Sequence, residues 1–184
     1  MKNACSLPAF QTQFKVSVIG AGNVGATAAY AMLMDGTPSE LVIMDHHKEK
    51  AEGLMLDMEH SMAFLNATKI VGTDDVKACK NSQLIVVTAG ARQQEGETRL
   101  DLIKKNRAIF KELIPALAKV APKAILLIVS NPVDVLTMEA DSRAASIVSG
   151  CADYGSCSTI QISMGQSVWF GHDFRYRATS VSSF

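Results

Sequence analysis

Lys15-Val16-Ser17-Val18-Ile19-Gly20-Ala21-Gly22-Asn23-Val24-Gly25 decides how the rest of the chain is read. Lys15–Ile19 is one of five short apolar runs, most of them apolar almost continuously, which suits strands buried on both faces. A G-x-G-x-x-G run follows directly, and then the Ala- and Met-rich helical stretch Asn23–Met34, ending near the turn signal Asp35-Gly36. Each glycine has a physical use in that setting. Gly20 permits a tight turn, Gly22 lets a pyrophosphate approach the backbone, and Gly25 lets the helix pack close to the sheet. The helix N-terminus then offers free N–H groups and a partial positive charge to an anion. A plain strand-to-helix turn also explains three glycines, so the motif needs support from elsewhere in the chain.

That support comes from the alternation of elements. Leu41–Met44, Lys69–Val71, Leu84–Thr88 and Ile125–Val129 are further short apolar runs. Between them lie Lys48–Phe64, with Ala51, Leu54, Met55, Met58 and Met62 at helical spacing, and Thr98–Val120, with Leu102, Ile103, Ile109, Phe110, Leu113 and Leu117. Pro115 lies inside the second helix and is expected to kink or split it. Strand and helix in alternation predict an α/β fold with a doubly wound parallel sheet of the Rossmann type.

Three further segments carry chemistry. Asp45 ends the second strand, where a carboxylate can accept hydrogen bonds from ribose hydroxyls and repel a 2′-phosphate, or else cap the helix that follows. Its neighbours His46 and His47 do not share a helix face and read as a solvated pair, not as metal ligands. Thr88-Ala89-Gly90-Ala91-Arg92-Gln93-Gln94-Glu95-Gly96-Glu97-Thr98-Arg99 leaves a buried strand, crosses a polar loop and enters a helix. Such a loop beyond a strand's carboxyl end is where open α/β sheets bind ligands, although composition alone equally describes a solvated loop. Val129-Ser130-Asn131-Pro132-Val133-Asp134 reads as a helix start, with Ser130 or Asn131 as cap and Pro132 at the first position.

In this order, these segments resemble the L-lactate/malate dehydrogenase family, and its lactate branch more closely. The resemblance runs from about Phe14 to Thr137, and Thr88–Leu100 and Ile128–Thr137 are its most specific parts. It implies an NAD cofactor held by Gly20, Gly22, Asn23, Val24 and Gly25, then by Asp45 and Lys50. Gly90, Ala91 and Arg92 would follow the cofactor along the strand edge, and Val129, Ser130 and Asn131 would touch its nicotinamide end. Gln93 matches the position that selects substrate, where malate enzymes carry Arg. Arg99 matches the arginine that polarises the substrate carbonyl, and Asn131 also lies near the substrate oxygen. The implied substrate is a small 2-hydroxy or 2-oxo acid, and the implied assembly is a homo-oligomer.

The resemblance then breaks. An L-D-x-x-R segment and a G-E-H-G-D segment, which in the family carry the Asp orienter, the substrate-clamping Arg and the catalytic His, do not occur in this sequence. Gly171-His172-Asp173 lacks the flanks and spacing, so His172 is not read as catalytic. Residues 1–140 contain 14 Leu, 12 Lys and 8 Glu, whereas residues 141–184 contain none of these and 10 Ser. The expectation is therefore a dinucleotide-binding domain over 1–140, no substrate domain, and an irregular tail over 141–184 produced by a shifted reading frame from about Met138. On that account the helix after Pro132 ends early, the sheet loses its sixth strand, and an edge stands exposed beside Ile125–Val129. Two functions stay open: an NAD-dependent L-lactate dehydrogenase, or a non-catalytic remnant that binds a nucleotide.

Composition excludes little else. With 18 basic and 18 acidic residues the net charge is zero, so nothing predicts a nucleic acid or an anionic membrane as partner. No apolar run is long enough to span a membrane, and Met1–Gln13 has no apolar core of a secretory signal. Cys5, Cys79, Cys151 and Cys157 have no metal-like spacing and read as free thiols of a cytoplasmic protein.

Overall fold

A computed structural model describes residues 14–65, 67–91 and 95–144, and the backbone at 145–148, 159–162 and 168–170. Five strands form a parallel sheet: β1 (Lys15–Ile19), β2 (Glu40–Met44), β3 (Lys69–Thr73), β4 (Leu84–Val87) and β5 (Ile125–Ile128). Their spatial order is β3-β2-β1-β4-β5. The helices are α1 (Asn23–Asp35), α2 (Lys48–Ser61), α3 (Arg99–Val120) and α4 (Val133–Val148). The chain winds outward from β1 through β2 to β3, then returns to lay β4 on the other side of β1. That reversal makes a switch point between β1 and β4.

The continuous apolar strands are explained by burial on both faces. Val16, Val18, Leu41, Ile43 and Val86 pack with Ala29 and Leu33 of α1 and Ala51 and Met58 of α2. Ile19, Val42, Ile85, Val87, Leu126 and Ile128 face the other way, onto Phe110, Ile114 and Leu117 of α3 and Leu136, Ala140 and Ala144 of α4. The buried Ser17 in β1 is satisfied by a 2.7 Å bond between its hydroxyl and that of Ser82. α1 ends at Gly36, whose left-handed backbone (φ 71°) sends its N–H back to the carbonyl of Leu33.

Three expectations fail here. α3 is not split in two: it runs unbroken through Pro115. Proline forfeits one backbone bond, but Ile114, Leu117 and Ala118 on the same helix are buried against the sheet and hold it together. α4 does not stop near Met138 but continues to Val148. Leu136, Ala140 and Ala144 recur every fourth residue and are fully or almost fully buried. Glu139 clasps the helix to its neighbour, accepting from Arg107 Nε of α3 at 3.1 Å and from Arg143 Nε at 2.6 Å. Finally, β5 is not an edge. β6 (Thr159–Ile162) pairs parallel with it, Leu126 opposite Thr159, and β7 (Val168–Phe170) pairs antiparallel with β6. The alternating, β-branched Thr-Ile-Gln-Ile run suits a strand, and an open edge is a template for one. The rest of the tail, with His172, lies outside the described residues.

Candidate nucleotide-binding site

The strands deliver their C-terminal loops to one side of the sheet, and at the switch point these loops enclose an open cleft of about 330 Å³. Gly22, Asn23, Val24 and Gly25 form one wall, and Thr88, Gly90 and Ala91 after β4 form the next. Val129, Ser130 and Asn131 after β5 close it, with Leu102 and Asn106 of α3 behind.

The glycine loop is built by close approach. Gly20 has φ 104°, in the left-handed region that favours glycine. A Cβ on Gly25 would stand 1.9 Å from the Gly20 carbonyl oxygen and 2.7 Å from Thr88 Oγ1. Thr88 seals this seam, donating from its hydroxyl toward the carbonyls of Ile19 and Gly20, each at 3.0 Å. Gly22 is the opposite case: a Cβ there would meet nothing within 4 Å, and the residue lines the cleft. Gly22 is the N-cap of α1, no side chain caps that terminus, and no acidic residue lies in the first turn. The helix therefore presents its unbonded N–H groups to the cleft with no carboxylate in its own first turn. A backbone open at Gly22, beneath an uncapped helix terminus, fits the pyrophosphate of a dinucleotide.

Asp45, only 6% exposed, stands beside this loop at the end of β2. Its Oδ2 accepts the Ala21 N–H at 2.7 Å and its Oδ1 accepts the His47 N–H at 3.0 Å. Lys50 Nζ lies 4.0 Å away and His46 Nδ1 3.1 Å away. Burial alone would raise this carboxyl's pKa. The two N–H bonds, with the charge of Lys50 and then His46, outweigh it and hold the group below the usual aspartate range. Because the folded value is depressed, the stabilisation is present above the unfolded pKa near ~3.9 and is lost as pH falls through the folded value. The helix-cap alternative does not hold: the N-cap of α2 is His47, and Asp45 binds the N–H two residues on, in a local turn.

Ser130 does not cap α4 either. Its hydroxyl donates toward the carbonyls of Ala89 (2.7 Å) and Val87 (3.1 Å), tying the β5 loop to β4. Pro132 sits one position earlier than expected, its carbonyl accepting the Leu136 N–H ahead of a helix that begins at Val133. Arg99 is exposed at the first position of α3, after a capping box between Thr98 and Asp101, and is not part of the cleft wall. Arg92 and Gln93 lie outside the described residues.

Thr88, Leu102 and Asn106 line the cleft without having been singled out by the sequence reading as site residues. For Asn106 a signal existed. Leu102, Asn106 and Phe110 stand four apart on the buried stripe of α3, and an amide in an apolar stripe needs an explanation.

Comparison with known proteins agrees with this geometry. Residues 14–148 match the NAD-binding domain of lactate/malate dehydrogenase, so the match continues beyond Thr137, where the sequence reading stopped. L-lactate dehydrogenase 1 of Clostridium acetobutylicum is 50% identical over 123 residues, covering 67% of this chain and 39% of that protein. The L-lactate dehydrogenase B chain of Sceloporus woodi is 47% identical over 130 residues, covering 71% of this chain and 39% of that one. Among solved structures, the minor L-lactate dehydrogenase of Enterococcus mundtii, crystallised with ligands bound, superposes with a TM-score of 0.69 at 36% identity. That superposition covers 73% of this chain and 43% of the other. The chain thus spans about two fifths of the length of the curated relatives it matches. Sequence, sheet order and cleft converge: the chain belongs to the lactate/malate dehydrogenase family, and residues 14–148 are its NAD-binding domain.

Proposed function

We propose that this chain is the nucleotide-binding part of an NAD-dependent L-lactate dehydrogenase, with the cleft at the switch point as its cofactor site. The observation that carries the reading is the open backbone at Gly22 under an uncapped helix terminus, with the ionised Asp45 beside it. Gly22, Asn23, Val24 and Gly25 hold the pyrophosphate, and Asp45 with Lys50 faces the adenine ribose. Gly90, Ala91 and Arg92 follow the cofactor along the strand edge, and Val129, Ser130 and Asn131 line the nicotinamide end. The bound nicotinamide supplies or takes the hydride. Arg99 polarises the substrate carbonyl by stabilising the charge that develops on its oxygen. The names of the relatives support the lactate branch, and the neutral Gln93 supports it independently, since it cannot pair with a second carboxylate.

Titration of the chain with NADH and NADPH tests the cofactor reading. NADH is expected to bind at least about tenfold more tightly, because Asp45 faces the extra phosphate. Asp45→Asn, which keeps an acceptor for Ala21 but removes the charge, narrows that gap. Equal affinities in the unsubstituted chain rule out the role given to Asp45.

A chimera tests the substrate reading. Residues 14–148 joined to the remaining C-terminal part of the Clostridium acetobutylicum enzyme are expected to reduce pyruvate in preference to oxaloacetate. Gln93→Arg in that chimera shifts the ratio of kcat/KM values toward oxaloacetate by about a hundredfold, because Arg binds a carboxylate in a fork. An unsubstituted chimera that already prefers oxaloacetate refutes the lactate reading.

A further inference from the structure

We infer that Asn106 is a positioning residue: its side-chain amide holds the Gly90–Ala91 segment and Asn131 at a fixed separation across the nicotinamide end of the cleft. The inference rests on the reading of the cleft given above. Asn106 comes from the second turn of α3 and is 1% exposed. Its Oδ1 accepts the Ala91 N–H at 2.7 Å, and its Nδ2 donates to the Asn131 carbonyl at 2.7 Å. One amide thus bridges the loop after β4 and the loop after β5, which no strand pairing joins at that point. The backbone of Gly90 lies against the same group: a Cβ there would stand 3.3–3.5 Å from its Oδ1, Nδ2 and Cγ.

The chemistry required at this position is specific. One side must accept from an N–H and the other must donate to a C=O, within one short planar group. Asparagine does both. Leucine fills a similar volume and does neither, leaving a backbone donor and a backbone acceptor without partners. An ionised aspartate accepts from Ala91 but sets a negative oxygen against the Asn131 carbonyl. A protonated aspartic acid restores the pattern, because its O–H donates where Nδ2 did. Burial raises the pKa of a carboxyl placed there and brings this recovery within reach of mildly acidic pH. Along the sequence, the charged residues closest to the bridge are Arg92 beside Ala91, Lys105 and Arg107 beside Asn106, and Asp134 three residues after Asn131. Those groups are common to every variant compared.

The glycine loop and Asp45 lie outside the bridge, so the adenosine half of the site is independent of it. This independence separates positioning from general stability. The 184-residue chain and its variants are titrated calorimetrically with NADH and, separately, with ADP, which carries only the adenosine and pyrophosphate. Asn106→Leu is expected to weaken NADH by about tenfold or more, with ADP changed by less than about twofold. In Asn106→Asp, the ratio of NADH to ADP affinity falls at pH 7.5 and recovers toward pH 5.5, whereas the parent ratio stays flat. The two pH values are chosen because burial raises the pKa of a carboxyl above its ordinary range.

If Asn106→Leu does not fold, the pH profile of Asn106→Asp decides alone. NADH and ADP falling together, or neither falling, or no acid recovery, overturns the positioning role and leaves the cofactor reading standing. A parent chain that binds neither nucleotide overturns the cofactor reading, and the positioning role with it.

Discussion

Gly25→Ala yields a chain that melts far below the parent and binds no NADH. The added methyl would stand 1.9 Å from the Gly20 carbonyl oxygen, well inside contact distance, and neither partner can withdraw. Gly20 is fixed by its left-handed backbone and by the 2.7 Å bond from its N–H to the Met44 carbonyl. On the other side Thr88 already spends its hydroxyl on the seam. The helix must therefore move off the sheet, at a cost above about 3 kcal/mol, a large share of the ~5–15 kcal/mol that holds a typical domain together. Gly53→Ala is the matched control. Gly53 is exposed in α2, its Cβ would meet nothing within 4 Å, and alanine there is worth about 0.5–1 kcal/mol of added stability. Urea denaturation followed by circular dichroism measures both. Equal midpoints for Gly25→Ala and the parent would show that the close approach is not a constraint.

Pyruvate reduction by the chain alone is expected to be absent. Of the groups the family resemblance assigns to the substrate, the sequence carries Gln93, Arg99 and Asn131. The proton-exchanging histidine and the carboxylate-clamping arginine belong to segments it does not contain. Losing a general acid/base costs about 10²–10⁴-fold, and losing the clamp removes orientation on top of that loss. NADH oxidation is followed by absorbance with nucleotide binding measured in parallel, which separates an inactive site from an unfolded one. Turnover that disappears on substituting His172 would refute the expectation and make that histidine the acid/base.

The parallel sheet was legible because its strands are buried on both faces: Ile85–Val87 and Leu126–Ile128 leave no polar alternation that another architecture would require. The glycine loop was legible because each of its glycines answers a separate steric demand. α4 was misjudged because composition was weighed over spacing. The loss of Leu, Lys and Glu after Ala140 hid the fact that Leu136, Ala140 and Ala144 keep a four-residue period, and alanine suffices where a helix lies close to a sheet. The roles of Ser130 and Asn106 were not legible because both bind backbone atoms distant in sequence, the β4 carbonyls in one case and two separate loops in the other. Local rules for caps saw Ser130 only as a helix start, and the periodicity of Thr98–Val120 did not single out Asn106.

The sheet order has a consequence for how the site comes into being during synthesis. β1 pairs on one side with β2, its immediate successor, but on the other with β4, Val16 lying opposite Leu84. An emerging chain can assemble β1, β2 and β3 from neighbouring segments, whereas the cleft needs Gly22, Gly90 and Asn131 together and so forms only after β5 has left the ribosome. Pairings so distant in sequence are closed late and slowly. Nucleotide therefore acts on the finished domain, retarding its unfolding and leaving the rate of the early steps unchanged.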